Sequence, residues 1–477
     1  MTALRTPALV AVLAWTLTAC APLTPAVPAA AQPPQPMQWQ APTGTAETAA
    51  IDARWWQALG DPQLSAWVEQ ALAHNNDVLA ARARIDEARA QIQLAGAAGR
   101  PVLDAVLPMS SGRSLGSTGM THLRSLQPGV QASWEIDLWG RLDALGRAAD
   151  LRYQASQADR DAIALSVAST TAQAYVGLLS LQAQLRSAQA TLVSREHALQ
   201  LAADQARVGY ISQLQLTQAQ SEYHSVLQSI ELLRHSLARQ RNALRILVGW
   251  EAPDGAAPGT AALHWPGEGA PDLEALQLPR LPVALPSQLL ERRPDIARAQ
   301  WQLAAADQSL AAQRAAFLPQ VRLSASAGSL LINALDYNPA TVWSLGGSVL
   351  APLFDAGRLK AQFGVSVAQR DQAAYAYRGV VIQALAEVEN ALAGSQLLQT
   401  QMAQARERQQ VLQRSLGFAH DRYQAGYASY LEELDAQRNL FAVQQEVIRL
   451  RQSQLDNVIA LYQALGGGWQ AGGGQGL

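Results

Sequence analysis

The amino-acid sequence contains an internal duplication that spans nearly the whole chain. Five landmarks recur at separations of 217 or 218 residues, and a constant offset over so many positions does not arise by chance. The sequence therefore predicts two copies of one unit, repeat one over residues 51–250 and repeat two over residues 286–466. A connector, residues 251–285, joins them, and a glycine-rich tail covers residues 467–477. The landmarks begin at Asn76 and Pro294, Pro101 and Pro319, Trp139 and Ala356, Gly209 and Gly426, and Ala243 and Ala460.

Each repeat contains predicted helices that are too long for a compact globule. Apolar residues recur every seven residues, which is typical of coiled-coil packing. A helix over residues 146–206 would be a rod of roughly 90 Å at about 1.5 Å per residue. We expect each repeat to hold a first helix, two short alternating segments, a very long helix, a glycine turn and a second long helix. The clearest sevenfold series are Leu178, Leu185, Leu192 and Leu199 in repeat one and Leu434, Phe441, Ile448 and Leu455 in repeat two.

A glycine turn joins the two long helices of each repeat and makes a hairpin tip. Gly209 and Gly426 are predicted to adopt the left-handed backbone conformation that ends a helix. The next helix is expected to begin with a capping box, formed by a serine and a glutamine or glutamate three residues later. The pairs are Ser212 with Gln215 and Ser429 with Glu432.

Two pairs of short segments alternate between apolar and polar residues, which predicts β-hairpins over residues 101–138 and 319–354. Such strands could lie on the core of a soluble protein, or they could face lipid on one side and water on the other. No other apolar run after the N-terminal segment is expected to span a bilayer, which favours the second alternative. Because four strands cannot close a barrel, a membrane-spanning sheet requires several copies of the chain.

The N-terminus has the features of a signal peptide over residues 1–19, with a basic residue and an apolar run too short to span a bilayer. The segment leads into Leu17-Thr18-Ala19-Cys20, which contains the single cysteine and resembles the lipobox of bacterial lipoproteins. This resemblance implies a lipid on Cys20 and, since Ala21 follows, delivery to the outer membrane. A signal peptide with an incidental cysteine is the alternative. The proline- and alanine-rich residues 20–50 predict an extended tether.

Composition excludes several classes of function. A formal net charge of −2 argues against a nucleic-acid-binding protein, which would carry a large basic surface. The sequence has none of the common catalytic or phosphate-binding motifs, and its seven histidines do not have the spacing of metal ligands. We therefore expect a protein that is not an enzyme, with no metal site and no cofactor other than the lipid on Cys20.

Four motifs, together with the duplication and the lipobox, identify a family: Trp55-Trp56 with Asp61-Pro62, and the stretches from Trp134 to Arg141, from Pro352 to Arg358 and from Tyr427 to Arg438. The chain resembles the TolC-like outer-membrane efflux proteins (outer membrane factors) over residues 20–466. Within them it resembles the NodT/OprM-like lipoprotein branch of resistance-nodulation-division efflux systems.

The resemblance implies a mixed, mainly α fold. A trimeric outer-membrane β-barrel, with four strands per chain, would be continued by a long periplasmic α-helical coiled-coil barrel. The implied partners are two further copies in a homotrimer, outer-membrane lipid, a periplasmic adaptor (membrane fusion) protein and an inner-membrane resistance-nodulation-division transporter. The expected function is passive conduction of drugs or other small toxic compounds from the periplasm to the exterior. A duct for type I polypeptide secretion and a lipid-anchored coiled-coil scaffold without a pore are the alternatives.

The resemblance also implies which residues act at the periplasmic aperture. Glu432 and Asp435 share a helix face where family members have an acidic constriction, and a trimer would make each a ring of three like charges. Arg438 is expected to stabilise the closed state by pairing with Asp435 or with a neighbouring helix. The matching Gln215 and Gln218 are uncharged, so only repeat two is expected to carry the charge of the gate. The alternatives are a capping role for Glu432 and a solvated Arg438.

The hairpin tips are the contacts with the adaptor that the resemblance implies. The second tip departs from the Arg-X-Gly pattern of the first, because Arg422 lies four residues before its glycine. The expected contact residues are Arg207, Val208, Gly209 and Ser212 at the first tip and Tyr423, Gly426 and Ser429 at the second.

Overall fold

A computed structural model describes residues 23–34, 36, 38–40, 51–116, 119–249, 272–279 and 292–470. The predicted signal peptide, Cys20, most of the connector and the end of the glycine-rich tail lie outside the described residues. The chain divides into two compact units. Unit 1 comprises Met1–Pro33, Ala83–Ala158 and Arg298–Val380, and unit 2 comprises Pro34–Arg82, Asp159–Ala297 and Val381–Leu477.

The helices and strands follow the predicted order in both repeats. Repeat one contains α1 (Pro62–His74), α2 (Asn76–Ala97), β1 (Val102–Val106), β2 (Met109–Gly116), β3 (Gly119–Leu126), β4 (Gly129–Ile136), α3 (Arg141–Arg207) and α4 (Gln213–Leu247). Repeat two contains α5 (Pro294–Ala315), β5 (Gln320–Ile332), β6 (Ala340–Leu350), α6 (Arg358–Gln424) and α7 (Tyr430–Ala464).

The lengths of the long helices confirm the duplication. α3 and α6 have 67 residues each, and α4 and α7 have 35 residues each. A helix of 67 residues is about 100 Å long. The predicted sevenfold seam is used for packing in unit 2, where Leu185 and Leu192 of α3 join a cluster with Val226 and Ile230 of α4 and Phe441 of α7.

Unit 1 contains an antiparallel sheet in which β1, β4, β5 and β6 lie side by side in that order. β2 and β3 pair along their whole length, and β3 meets the end of β5 at Ser125 and Leu126. The predicted first hairpin is thus broken once in each limb, at Pro108 and at Pro128. Proline has no N–H that could join the hydrogen-bond ladder between strands. Each proline therefore divides one strand of the predicted first hairpin in two, so the structure has six strands where four were predicted.

The run β1–β4–β5–β6 has an open edge at each end, since β1 and β6 each pair with one neighbour among the described strands, and β2 likewise pairs only with β3. Large apolar side chains also stand exposed on β6, where Trp343, Leu345 and Val349 are 69–78 % exposed. Open edges and exposed apolar faces both promote association in water. A closed barrel in lipid, made from several copies of this sheet, removes both problems.

One helix differs from the expectation that no further apolar run could span a bilayer. α3 is long enough, and an 18-residue window of it has a mean hydropathy of 1.4. However, 72 % of that window is buried inside the structure. The apolar residues of α3 therefore serve as core, as the seam of a coiled coil requires.

The Trp55-Trp56 motif lies in the core of unit 2. Both indole rings are buried, and Trp55 stacks on Tyr462 of α7 with ring centroids 5.4 Å apart. Asp61 caps α1 and accepts a hydrogen bond of 2.7 Å from the hydroxyl of Tyr175 on α3. Burial, and then the contact with Asp61, raises the pKa of Tyr175, so its hydroxyl stays a donor. The motif thus connects the start of repeat one to α3 and α7.

Matched amide contacts join the two long helices of each repeat. Gln240 Nε2 of α4 donates to the carbonyl oxygen of Ala174 on α3 at 2.8 Å. At the matching positions of repeat two, Asn457 Nδ2 of α7 donates to the carbonyl oxygen of Ala391 on α6 at 2.9 Å. Each bond fixes how far one helix is shifted along its partner.

We expect opposite effects of alanine at two glycines of α6. A Cβ at Gly394 would lie 2.5 Å from Asn457 Oδ1, so Gly394→Ala should displace that amide and cost a net 1–2 kcal/mol, roughly. Nothing lies within 4 Å of a Cβ at Gly417, and Gly417→Ala should stabilise the helix by roughly 0.5–1 kcal/mol. The temperature at which the folded protein unfolds in detergent measures both. Shifts of the same sign would contradict the role of Asn457.

A buried carboxyl on α7 predicts a pH-dependent stability. Asp456 accepts a hydrogen bond of 3.3 Å from Gln452, while its Oδ1 has no partner among the described residues. Burial raises the pKa of Asp456 to about 6, so the folded state binds a proton that the unfolded state releases at lower pH. Stability from this group therefore falls as the pH rises from about 4 to about 6.

Asp456→Asn should accordingly raise the free energy of unfolding by about 3 kcal/mol at about pH 8 and have little effect at about pH 4. The exposed Asp421 gives the control variant, Asp421→Asn, which should not change the pH dependence. Thermal unfolding followed over this pH range measures the difference. An equal effect of Asp456→Asn at both pH values would contradict the account.

The predicted tether differs from an unbound chain in its described part. The carbonyl oxygens of Pro25 and Ala26 accept hydrogen bonds from Arg370 of α6, and Ala31 is buried. The described part also contains a 3₁₀ turn at Ala29–Ala31, so it is not extended throughout. Proline-rich composition carries no information on a distant side chain that binds the backbone.

Candidate functional site

Both hairpin tips are closed by a glycine in the left-handed conformation, as the sequence predicts. Gly209 has a φ of 76° and Gly426 a φ of 77°. In each tip the following tyrosine N–H donates back over the last turn at 2.8 Å, from Tyr210 to Gln205 and from Tyr427 to Arg422. These bonds satisfy carbonyl groups that the end of a helix leaves unpaired.

The two tips differ in how the next helix begins. At the first tip the capping box forms, with Gln215 N 3.3 Å from Ser212 Oγ and Ser212 N 3.1 Å from Gln215 Oε1. At the second tip the expectation of a capping box is wrong, since Ser429 makes no side-chain cap. The carboxylate of Glu432 instead accepts a hydrogen bond of 2.8 Å from Arg422, and this arginine competes with the cap.

The tips present apolar and aromatic side chains to solvent. Val208 is 76 % exposed, and Tyr210 and Tyr427 are 82 % and 80 % exposed. The two tyrosines occupy matching positions directly after the tip glycines, and sequence reasoning passed over them. Their signal was the Gly-Tyr pair that occurs at both tips.

Tyr423 lies between the tips rather than at their surface. Its hydroxyl donates to Gln205 Oε1 of α3 at 3.2 Å, and its ring lies 5.6 Å from that of Tyr430 on α7. Burial raises the pKa of the Tyr423 hydroxyl. Of the predicted tip residues, this one therefore contacts both hairpins of the chain.

Arg438 forms the centre of the predicted aperture group. Its Nη1 lies 3.2 Å from Asp435 Oδ1, as expected, and its Nε lies 2.8 Å from Oε1 of Glu222 on α4. The hydrogen bond to Glu222 is the main reason that the pKa of Arg438 is raised. The Glu222–Arg438 pair thus connects the second helix of one hairpin to the second helix of the other.

A second arginine lies against the same glutamate. Arg195 of α3 is 4 % exposed, and its Nη2 is 3.9 Å from Glu222 Oε2. Another nitrogen of the group, Nη1, donates to Gln437 of α7. Burial lowers the pKa of Arg195, and the charge of Glu222 opposes that shift. We refer to Arg195, Glu222, Asp435 and Arg438 as the tip ion-pair cluster.

Repeat one contributes an acid to the group around Arg438, which the comparison of Gln215 and Gln218 with repeat two did not lead us to expect. Glu222 belongs to repeat one and follows Gln218 by four residues, which places both on one face of α4. Sequence reasoning missed it because the matching position of repeat two is Asn439, which is uncharged. A comparison of matching positions cannot find a charge that one repeat alone has acquired.

The structure does not bring Glu432 into the tip ion-pair cluster. Its partner is Arg422 of the same tip, and its side chain is 44 % exposed. The neighbouring Glu433 is the buried acid of this region, and its Oε1 lies 2.9 Å from His420 Nδ1 on α6. Among the residues that the structure describes, no three histidine, cysteine, aspartate or glutamate side chains are grouped as a metal site requires.

Comparison with known proteins gives matches over both repeats. A family model described as outer membrane efflux protein matches residues 67–250 and 285–467. The pyoverdine export outer membrane protein OpmQ of Pseudomonas aeruginosa is 34 % identical over 447 residues, which cover 91 % of this chain and 92 % of that protein. The toluene efflux pump outer membrane protein TtgC of Pseudomonas putida is 34 % identical over 460 residues, or 95 % and 92 %.

A solved structure is similar over nearly its whole length. The open state of the Neisseria gonorrhoeae MtrE outer membrane channel superposes with a TM-score of 0.78 at 26 % identity. The match covers 94 % of this chain and 99 % of that chain.

Proposed function

Because the chain belongs to the outer membrane efflux protein family and is the outer-membrane channel component of an efflux pump, we propose that the tip ion-pair cluster gates its periplasmic entrance. The resemblance, the mainly helical fold with a trimeric barrel, and the outer-membrane location are confirmed by the family and its solved channels. The alternative of a scaffold without a pore is wrong, because the family members are outer-membrane channels.

The observation that carries the gate proposal is the ion pair between Glu222 and Arg438. It holds together the tips of two helical hairpins that come from different repeats. In a trimer, three such pairs would surround the entrance, and the exposed Asp435 would form a ring of three carboxylates that favours cations. Opening requires the hairpins to separate, and separation breaks this pair.

The proposed substrates are drugs or other small toxic compounds that cross the channel passively. OpmQ exports pyoverdine and TtgC serves toluene efflux, so relatives at similar identity conduct small organic molecules. A passive duct needs neither a catalytic residue nor a metal or other cofactor. We therefore propose that the protein is not an enzyme and that the lipid on Cys20 is its covalent group.

The proposed assembly is a homotrimer joined through a periplasmic adaptor to an inner-membrane resistance-nodulation-division transporter. The exposed apolar surface at both tips supports a protein partner there, because Val208 and its neighbours have no cover in the single chain. The proposed contacts are Arg207, Val208, Gly209, Ser212, Tyr423, Gly426 and Ser429.

Deletion of the gene in its own host tests the function. We expect increased susceptibility to small toxic compounds, restored by the intact gene and not by a copy that lacks residues 101–138. Polypeptides in the growth medium are measured in the same strains. A lost secreted polypeptide with unchanged susceptibility would contradict efflux of small compounds and support the secretion duct.

Cys20→Ala should remove the lipid and leave the yield of trimers largely unchanged. A single acylated terminus contributes about 0.8 kcal/mol per buried methylene and anchors weakly, whereas a closed barrel stays in the bilayer without it. Incorporation of labelled palmitate and the amount of heat-resistant trimer on gels measure the two effects. Loss of the trimer in this variant would contradict the barrel as the main anchor.

A further inference from the structure

Arg370 of α6 is the most deeply buried cation among the described residues, with 2 % of its surface exposed. Its Nη1 donates to the carbonyl oxygen of Pro25 at 2.7 Å, and its Nη2 donates to that of Ala26 at 3.3 Å. Its Nε donates to Asp371 at 2.9 Å. One guanidinium thus binds two successive backbone carbonyls of the N-terminal segment, and its bond to Asp371 fixes its orientation.

The surroundings of Arg370 contain a second acid besides Asp371. Asp307 of α5 also lies near the guanidinium: burial raises the pKa of the Asp307 carboxyl, and the charge of Arg370 opposes that shift. Without the two carbonyls Arg370 would keep its ion pair with Asp371, but the nitrogens that now bind Pro25 and Ala26 would be left short of acceptors in a medium of low dielectric, which is costly. The carbonyls of Pro25 and Ala26 therefore stabilise the position of Arg370 as much as Arg370 holds them.

Repeat one provides an internal comparison. The positions that match Asp307 and Arg370 are occupied by Arg89 and Tyr153. There the Arg89 guanidinium lies 5.9 Å from the centroid of the Tyr153 ring. The same helix pair is thus built without a buried arginine, so packing of this fold does not require one. The cation occurs in the one repeat against which the N-terminal segment lies.

The length of chain on either side of the contact is also informative. Five residues lead from Cys20 to Pro25, and an extended chain of that length spans at most about 18 Å. Arg370 lies 12 residues after Arg358, the first residue of α6, which corresponds to about 18 Å along the helix. The thiol of Cys20 can therefore reach the level at which α6 begins and little beyond it.

We propose that Arg370 is a binding site for this chain's own N-terminal segment, residues 23–34, and that it fixes how far from the barrel the lipid can lie. The part that concerns the lipid rests on the proposed acylation of Cys20, and the part that concerns the binding of the segment does not. Arg370 is a positioning residue: it touches the segment and acts on the lipid only through it.

Proteinase K digestion of purified, folded trimers tests the binding. Arg370→Met should increase the rate of cleavage within residues 23–34 by at least about tenfold, since the hydrogen bonds that keep the backbone closed are lost. Arg370→Lys, which keeps the charge and loses the fork, should have an intermediate rate. Arg152→Met is the matched control in unit 1, since Arg152 is exposed and binds Ser309 instead of the segment. Mass spectrometry identifies the cut sites.

Equal cleavage rates for Arg370→Met, Arg370→Lys and Arg152→Met would overturn the binding site. If Arg370→Met does not assemble, Arg370→Lys alone decides, because a lysine ammonium is a single nitrogen and lacks the planar fork whose two terminal nitrogens bind the two carbonyls. These digestions need no lipid, so they stand even if labelled palmitate is not incorporated at Cys20. In that case the proposed acylation of Cys20 is contradicted, and the proposed binding of the N-terminal segment to Arg370 is not.

Pulse-chase labelling tests the part that concerns the lipid. Arg370→Lys should slow the appearance of heat-resistant trimers in the wild-type background and have no further effect in the Cys20→Ala background. An insertion of about ten glycine and serine residues between Ala21 and Pro22, which lengthens the span, should slow assembly in the same way. Equal slowing by Arg370→Lys with and without Cys20, or normal assembly after the insertion, would overturn it.

Discussion

Arg438→Met should increase the open probability of the channel about fivefold, the change that about 1 kcal/mol produces in a two-state equilibrium. The substitution keeps an unbranched apolar stem and removes the guanidinium, and with it the bonds to both acids, Glu222 and Asp435. Glu222 then remains beside Arg195 alone, at a distance of 3.9 Å, and no longer contacts α7 through Arg438. Single-channel recording of purified protein in planar bilayers measures the change.

The order of effects within the cluster is also predicted. Glu222→Gln should resemble Arg438→Met, because it removes the shorter and less exposed of the two contacts. Asp435→Ala should raise the open probability less than Arg438→Met does. Adding Glu432→Ala should change it little further, since Glu432 pairs with Arg422. The exchange of charges in Glu222→Arg with Arg438→Glu should restore part of the closed state.

A matched control lies on the same helix as Glu222. Arg234 of α4 is exposed and pairs with Glu231 of its own helix at 2.6 Å, so Arg234→Met removes an ion pair that joins no hairpins. Conductance and cation block should equal those of the wild type. If Arg438→Met and Glu222→Gln behave like Arg234→Met, the cluster does not gate the entrance.

The second large effect is expected at the glycine that ends α7. Gly466 has a φ of 89°, and a Cβ there would overlap the carbonyl oxygen of Arg292. Gly466→Ala thus combines backbone strain with a collision between two segments of main chain, at a cost of about 3 kcal/mol or more. The matching Gly249 has a φ of 80°, and its Cβ would lie 2.7 Å from the carbonyl oxygen of His74.

Each glycine follows the last long helix of its repeat and lies against the main chain near the first helices of the same repeat. Next to them, Arg293 donates to the carbonyl oxygen of Ala464 at 2.9 Å in repeat two, and Asn75 donates to that of Leu247 at 3.0 Å in repeat one. The rate of trimer loss on heating should rise strongly in Gly466→Ala and less strongly in Gly249→Ala. Gly417→Ala, in open space on α6, is the control and should not accelerate it. An unchanged rate in Gly466→Ala would contradict the close approach at this glycine.

Local pattern was sufficient to predict the elements of the fold. The constant offset, the sevenfold seams and the tip glycines each depend on residues that are neighbours in sequence or exact repeats of one another. Their outcomes, two helices of 67 residues and two left-handed glycines, follow from the hydrogen-bonding needs of helix ends and the burial of apolar stripes.

Contacts between distant residues were harder to predict. Glu222 and Arg438 are 216 residues apart, and Arg370 is 344 residues from Ala26. Neither pairing has a signal in the local sequence, because a charged residue on a helix face looks the same whether its partner is solvent or another helix. Ser429 illustrates the same limit, since Arg422 takes the glutamate that the capping box would use.

The central claim, that copies of this chain close one barrel in lipid, is tested most directly by joining β1 of one copy to β6 of the next, the two open edges of the run β1–β4–β5–β6. One cysteine is placed at Ala105 on β1 and a second is moved along residues 345–350 of β6, in the Cys20→Ala background. Oxidation in outer-membrane vesicles should give covalent dimers and trimers and no larger species, because three copies close the ring. Only single chains at every position, or an open ladder of ever larger products, would contradict the account.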